Sequence, residues 1–383
     1  MDQACHGAKT WVDISASALS HNIKVLKSSL SPGVEFSAVL KANAYGHDLE
    51  TITRLCLTEG VRVFCVDSVD EGIRVRRLSA EVDIIVLGFT VHERLADIIN
   101  HELIQTVYDA DSIVELGRLA LSAQRPAAIN LKLETGTYRQ GVLPRDLDGL
   151  LRLIKNQGDS VVLLGASSHF HNAEDVNHPQ ASDEQFARFQ TALTFIAEQG
   201  FALRYQHICC SAAAMMYSEM QGTLVRFGIA LYGLWSSESL RRAPEMYQKK
   251  IDLQPVLSWK TRIAQMKDVP AGDSIGYGLS FVAPRNMRIA VLPVGYYDGL
   301  RRGYSKGEVL LRGQRCPLVG TICMNMCMID VSALPSARAG DTVTLLGRNG
   351  MHQISAEDLA IKMETINYEV VTQIGSQLPR RVI

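Results

Sequence analysis

The sequence predicts a (β/α)8 TIM-like barrel followed by a smaller, mainly-β domain, and three observations carry that expectation. Eight short, strongly apolar runs follow one another along the first part of the chain: FSAVLKA, VRVFCVD, VDIIVLG, IQTVY, AAINLKLE, VVLLGAS, ALRYQHI and LVRFGIALYG. Each is bounded by Gly, Asp, Asn or Ser, the pattern of strands buried on both faces of a parallel sheet. Longer amphipathic stretches separate them, and eight such repeats in about 240 residues have the length and rhythm of a closed α/β barrel. Past residue 245 the rhythm changes, which places the barrel in residues 1–245 and a β domain in 246–383, with residues before about 15 packing with the second domain.

The barrel helices are read from DSVDEGIRVRRL, ADSIVELGRLALSA and SDEQFARFQTALTFIAEQG. In the last, Ser182 is placed to cap the helix, Glu184 lies in its first turn and Gly200 follows its end. A doubly wound open sheet is the competing reading of the same alternation. It lacks support because no GxGxxG follows the first apolar run. In the second domain, MRIAVLPVG, GEVLLRG, CPLVGTICMNMCMIDV and DTVTLLG read as short strands among Gly, Pro, Asn and Asp, with one helix near 356–364 and a final strand in PRRVI.

Composition excludes several classes of function. The 383 residues are 47% hydrophobic and 21% charged, with a net charge of −1 and no long Lys/Arg run, so no nucleic-acid surface is expected. No apolar run is long enough to span a bilayer, and MDQACHGAKTWVD carries no signal-like apolar segment, which leaves a cytoplasmic location as the expectation and no membrane partner. The eight cysteines form no CxxC pair and read as small buried hydrophobes in a reducing compartment. Cys323 and Cys327 lack two further ligands for a zinc site, so no metal is expected.

In a barrel, chemistry collects where strands end. The first run closes on Lys41, ordinarily a lysine snorkelling to the rim, but in a desolvated mouth an amine able to form a Schiff base with an aldehyde cofactor. The fifth run ends in Lys132 and Glu134, with Arg139 shortly after, and the sixth in Ser168, His169, Phe170 and His171. A metal pair at His169 and His171 has no third ligand, which favours an orienting histidine. After the seventh and eighth runs stand Cys210, Ser211, Arg226, Gly228 and Ile229, where barrels bind phosphate. A lysine on strand one and a phosphate cradle at strands seven and eight together suggest pyridoxal 5′-phosphate (PLP).

AVLKANAYGHD resembles the PLP-lysine segment of alanine racemases, and the resemblance recurs in order through KLETGTYRQG, SSHF, CSAAA, VRFGIALYGL, GYGLSF, LPVGYYDG, GTICMNM and TINYEVV. It implies an isomerase that interconverts L- and D-alanine by two-base proton transfer at Cα, with Lys41 and Tyr277 on opposite faces. It further implies Tyr45, Ser211, Gly228, Ile229 and Tyr368 at the cofactor phosphate, His169 beside the ring and Arg226 at the pyridine nitrogen. Arg139, the Met324 backbone and Asn325 would meet the substrate carboxylate, Tyr296 would narrow the entrance, and Lys132 matches a position often carbamylated in the family. A phenol ionises only at high pH, so Tyr277 as a base would need positive charge nearby, which a His169–Arg226 chain could supply. The family also implies a head-to-tail homodimer, Tyr277, Tyr296 and Met324 entering the partner's site, and D-alanine supply for peptidoglycan.

Some positions depart from the family pattern. Thr137 and Gln140 flank Tyr138–Arg139 where Met and Leu are usual, Cys210 stands where Asn is usual, Asn325 replaces a frequent Asp, and Tyr297 a small residue. These bear on substrate packing and leave open a racemase of serine or of broader specificity. A decarboxylase of similar architecture would carry an E-P-G-R phosphate loop, whereas VRFG occupies that place, and a non-catalytic PLP carrier would lack the second domain.

Overall fold

The computed structural model describes residues 7–175, 177–246 and 251–383. Its first strand, β1 (Thr10–Ile14), is buried throughout and stays out of the parallel sheet that follows it. That sheet contains β2 (Glu35–Val39), β3 (Val63–Val66), β4 (Asp83–Val86), β5 (Ile104–Val107), β6 (Ala127–Lys132), β7 (Val161–Ser167), β8 (Tyr205–His207) and β9 (Leu224–Phe227). The order is β8-β7-β6-β5-β4-β3-β2-β9, every ladder parallel. Strands therefore succeed one another without the reversal that defines a doubly wound sheet, and β9 returns to pair with β2. Between β8 and β9 no ladder forms, but Thr223 N–H donates to Gln206 O at 2.9 Å and Arg226 N–H to Cys209 O at 3.2 Å, which brings the sheet to near closure.

The apolar runs became strands because both faces are covered: β3 and β5 are buried at every residue. The amphipathic stretches became helices such as Val69–Arg76, capped by Ser68, and Ala110–Ala123, capped by Asp109. Two details differ from expectation. Ser182 does not cap its helix, which begins at Gln180, so that Ser182 N–H bonds Pro179 O within the first turn at 2.9 Å. The eighth run also stops being a strand at Phe227, because Gly228 turns the chain (φ −101°, ψ −102°) into a 3-10 turn over Ile229–Tyr232.

The second sheet is built from β10 (Leu257–Arg262), β11 (Gln265–Val269), β12 (Met287–Leu292), β13 (Glu308–Leu311), β14 (Gln314–Val319), β15 (Cys327–Asp330), β16 (Thr342–Asn349), β17 (His352–Ile354) and β18 (Arg380–Val382). β1 completes it, antiparallel to β10 and parallel to β18. By contact density one compact unit holds the chain up to Leu19, Tyr45–Asp48 and Gln254 onward, and the other holds Ser20–Ala44 and Leu49–Leu253. Among the described residues no helix is long and apolar enough to cross a membrane.

Asp13 is the electrostatic pin of the β1–β10–β18 junction. Its carboxylate is buried and accepts from Lys260 Nζ at 2.8 Å, from Trp11 Nε1 at 3.0 Å and from the Arg381 guanidinium. Burial alone would raise its pKa, but the hydrogen bonds and charges of Arg381 and Lys260 outweigh it and hold the carboxyl below its usual range. A depressed carboxyl contributes stability in full above about pH 4 and loses it as pH falls through the folded-state value. Asp13→Asn is expected to cost roughly 2–3 kcal/mol, less than a fully buried pair because both cations are partly exposed, and to abolish that acid-induced loss. Urea titration at pH 7 and pH 3 checks both.

Candidate functional site

At the end of β2 the chain does something the residue types do not suggest. Lys41 opens a left-handed turn in which Ala42, Asn43 and Ala44 have φ 54° and Tyr45 has φ 52°. For L-residues this costs about 1–2 kcal/mol each, so the surroundings must hold it. Ala44 N–H bonds Leu40 O at 2.7 Å, Asn43 N–H bonds Glu71 Oε1 at 3.2 Å, and Asn43 Oδ1 accepts from Leu49 N–H at 3.0 Å. Beyond the turn, Gly46 O accepts from Arg380 Nη2 at 2.9 Å. A side chain at Gly46, where φ is +80°, would put its Cβ 2.1 Å from Val371 O, so only glycine fits this approach. The Tyr45 ring lies 6.1 Å from that of Tyr368, tilted 45°.

Across the barrel mouth the charge is almost all positive. Arg226 is 6% exposed and, among the described residues, pairs with no carboxylate. It donates instead to Ser168 O and His207 O at 2.8 Å, to Ile208 O at 3.1 Å, to His169 Nδ1 at 3.3 Å and to His207 Nδ1. A guanidinium can only donate, so both Nδ1 atoms accept. Neutral His207 must then carry its proton on Nε2, which meets Asn130 Oδ1 at 2.9 Å, while Asn130 Nδ2 donates to Ser167 Oγ at 2.8 Å. One buried chain of bonds thus fixes two histidine tautomers and one amide orientation.

The same crowding shifts the pKa values of the buried basic groups downward. Burial, then the charges of Arg226, Lys132, Arg139 and Lys41, push His169 well below the ordinary histidine pKa. Burial and Arg226, with Lys132 a smaller influence, do the same to His207. Lys132 at the end of β6 is held well below the usual lysine range by burial and by Arg226 and Arg139, against the opposing pull of Glu134. Among the described residues Lys41, Lys132 and Arg139 make no ion pair, and Glu134 Oε1 is engaged by Gly136 N–H at 2.5 Å. At the ends of β8 and β9, Ser211 Oγ accepts from Gly228 N–H at 3.0 Å and from Ala230 N–H at 3.5 Å. Ile229 opens the turn beside them, buried.

The expected site residues therefore fall in two sets. The barrel unit holds Lys41, Lys132, Arg139, His169, Ser211, Arg226, Gly228 and Ile229, and it brings the cationic ones and His169 into one electrostatic neighbourhood. The other unit holds Tyr45, Tyr277, Tyr296, Met324, Asn325 and Tyr368. There Tyr277 is 72% exposed on a short turn between Gly276 and Gly278, its carbonyl accepting from Thr321 Oγ1 at 3.3 Å. Tyr296 N–H bonds Cys323 O at 3.1 Å and Tyr297 N–H bonds Met324 O at 3.0 Å, a seating that a Cβ at Gly295 would block at 2.1 Å from Cys323 O. Two participants were missed from sequence: Asn130 and His207, each a polar residue inside an apolar run, which was the available signal.

Known proteins share this architecture. The models of the N-terminal and C-terminal domains of alanine racemase match residues 14–236 and 256–382. The chain is 36% identical to an alanine racemase of Leptospira interrogans, covering 98% of this chain and 96% of the relative, and 36% identical to one of Halothermothrix orenii, covering 97% and 96%. Among solved structures, the alanine racemase of Bacillus anthracis with bound L-Ala-P superposes with a TM-score of 0.91 at 31% identity, covering 98% of this chain and 95% of that one. The Bartonella henselae alanine racemase, with covalently bound pyridoxal phosphate, superposes at 0.84 with 26% identity, covering 98% and 100%. With both of its domains matched in order and its full length aligned, this chain belongs to the alanine racemase family, a family of isomerases.

Proposed function

We propose that the barrel mouth binds PLP and that the chain uses it, as a head-to-tail homodimer in the cytoplasm, to interconvert L- and D-alanine and so supply D-alanine as a peptidoglycan precursor. The observation that carries this reading is the positive charge at the mouth: Arg226, Lys132, Arg139 and Lys41 all act on His169. A cofactor phosphate and a substrate carboxylate supply the negative charge such a cluster calls for. The donor set fits PLP in kind, with an amine at Lys41, a guanidinium at Arg226, and the Ser211 hydroxyl beside the Gly228 and Ile229 backbone. When bound, PLP supplies the electron sink that makes the Cα proton of an amino acid removable.

The chain's own groups do the rest. Lys41 takes or returns the Cα proton on one face and Tyr277 of the partner subunit on the other. Arg226 keeps its protons, so at the ring nitrogen it would donate without protonating it, which would weaken the sink and limit side reactions. His169 would hold the cofactor ring, and Tyr45 and Tyr368 would bind its phosphate. Arg139, the Met324 backbone and Asn325 orient the substrate carboxylate, and Tyr296 narrows the way in. Lys132, whose pKa burial and the charges of Arg226 and Arg139 lower, is suited to add CO2 at Nζ with release of a proton, and the carbamate would steady Arg139.

The dimer finds support in exposed apolar side chains of the second domain, Tyr277 at 72%, Leu279 at 76% and Met324 at 55%, which a second copy would cover. Complementation tests the shared site. Lys41→Ala and Tyr277→Phe homodimers should each be inactive. After unfolding and refolding together, half the dimers are mixed and one of their two sites is intact, giving about a quarter of wild-type activity. A mixture of folded dimers that stays inactive would place both groups in one subunit.

A further inference from the structure

Gln185 is 2% exposed on the helix Gln180–Glu198, and its amide ties together two segments that face the barrel mouth. Its Oε1 accepts from His171 N–H at 2.9 Å, and its Nε2 donates to His169 O at 3.2 Å. These bonds fix which end of the amide is which, since an N–H can only donate and a carbonyl can only accept. One side chain thereby pairs with the backbone on both sides of Phe170, as a neighbouring strand would, just where β7 has ended at Ser167.

The same amide reaches the other segment. Nε2 lies 3.4 Å from Thr135 Oγ1 and 3.5 Å from Thr137 Oγ1, and Thr137 Oγ1 itself donates to His169 O at 2.8 Å. Thr137 stands two residues before Arg139, in a loop whose ends are pinned by Glu134 N–H to Val142 O at 2.9 Å and Val142 N–H to Lys132 O at 2.8 Å. Thr135 adds a bond to Ser168 Oγ at 2.7 Å. Thr135, Thr137 and Gln185 tie the loop carrying Arg139 to the segment carrying His169, beside the bond from Ser168 Oγ to Leu133 O at 2.9 Å. The hydroxyl of Thr137 is what allows this hydroxyl-to-carbonyl link.

We propose that Gln185 is a positioning residue for racemisation: with Thr137 it locks the Arg139 loop to the His169 backbone and so sets the substrate carboxylate against the cofactor. This rests on the reading of Arg139 as the carboxylate-binding residue. The group that binds substrate and the group beside the cofactor ring sit on different strand ends, and a shift of one against the other by a fraction of an ångström is felt in both binding and rate.

The test uses Gln185→Met, which keeps the side chain's length and removes its hydrogen bonds, on the PLP-loaded enzyme. Propionate, which has alanine's carboxylate and methyl but no amine, is titrated by protein fluorescence, alongside steady-state kinetics with L-alanine, PLP content and Tm. The expected result is a rise of about tenfold in both the propionate Kd and the alanine KM, with PLP content unchanged. Thr137→Val, which removes only one bond, should move both in the same direction by about threefold. Values within twofold of wild type in both folded variants, or a lower Tm and PLP content with KM unchanged, would overturn the proposal. If Gln185→Met does not fold, Thr137→Val decides alone. Arg139→Met separates the two levels: unchanged propionate binding there refutes the carboxylate assignment and the inference with it, whereas weakened binding there with no effect at Gln185 and Thr137 refutes the inference only.

Discussion

Lys41→Ala is expected to lower racemisation by about 10³-fold or more and to leave the protein without covalently held PLP, because the proposed function gives this one residue both the anchoring of the cofactor and the movement of a proton. The barrel mouth offers two amines, and the choice between them is a real one. Lys132 has a depressed pKa, which is the usual mark of a reactive lysine. Lys41 has the more constrained frame, since the left-handed turn that begins at Lys41 is held by Leu40, Glu71 and Leu49 and leads to the Gly46–Arg380 contact. Backbone strain of that kind is kept where a side chain must point in one direction. Borohydride reduction followed by peptide mass analysis reads the outcome directly. A PLP adduct on Lys41 in the wild type, and none in the variant, fits this account; an adduct on Lys132 reverses the two roles.

Arg226→Met is expected to be the most destabilising single change in the barrel, at roughly 3–5 kcal/mol. It removes the donors that satisfy Ser168 O, His207 O and Ile208 O, and it releases both imidazoles. The pH dependence follows from the sign of the histidine shifts. His169 and His207 resist protonation in the folded state, mainly through burial and next through Arg226, while in the unfolded chain they protonate near pH 6.5. The unfolded state therefore binds more protons as pH falls below about 6.5, and the wild type should lose stability from there downward. In Arg226→Met that loss should be shallower. Denaturant midpoints at pH 8, 6.5 and 5 for both proteins check it; an unchanged slope would assign the effect to burial alone. The Asp13 loss begins near pH 4 and is separable from this one.

The fold was legible because periodicity is local. FSAVLKA or VVLLGAS needs no distant partner to declare itself a doubly covered strand, and all eight runs lie in the parallel sheet. The helix start at Gln180 was missed because Ser182 is a good cap by type, while Pro179 supplies the first turn's geometry three residues earlier. KANAY was not legible as a left-handed turn, since Ala and Tyr carry no mark of positive φ; besides the local bond to Leu40 O, what enforces it is Glu71, which only the folded chain brings near. Asn130 and His207 stand on β6 and β8 and meet over the top of β7, so no spacing in the sequence connects them. Gln185 was hidden for the same reason, its partners lying 14 to 50 residues away.

Incubation of the purified, PLP-loaded enzyme with L-alanine in deuterium oxide, following Cα deuterium and chirality together, tests the central claim most directly. Two-base racemisation at a solvent-exchanging site predicts D-alanine carrying deuterium at Cα, appearing with no loss of carboxylate or amine, and slower turnover of serine and larger amino acids. L-alanine that keeps both its Cα proton and its configuration, in protein shown to hold PLP, would contradict it.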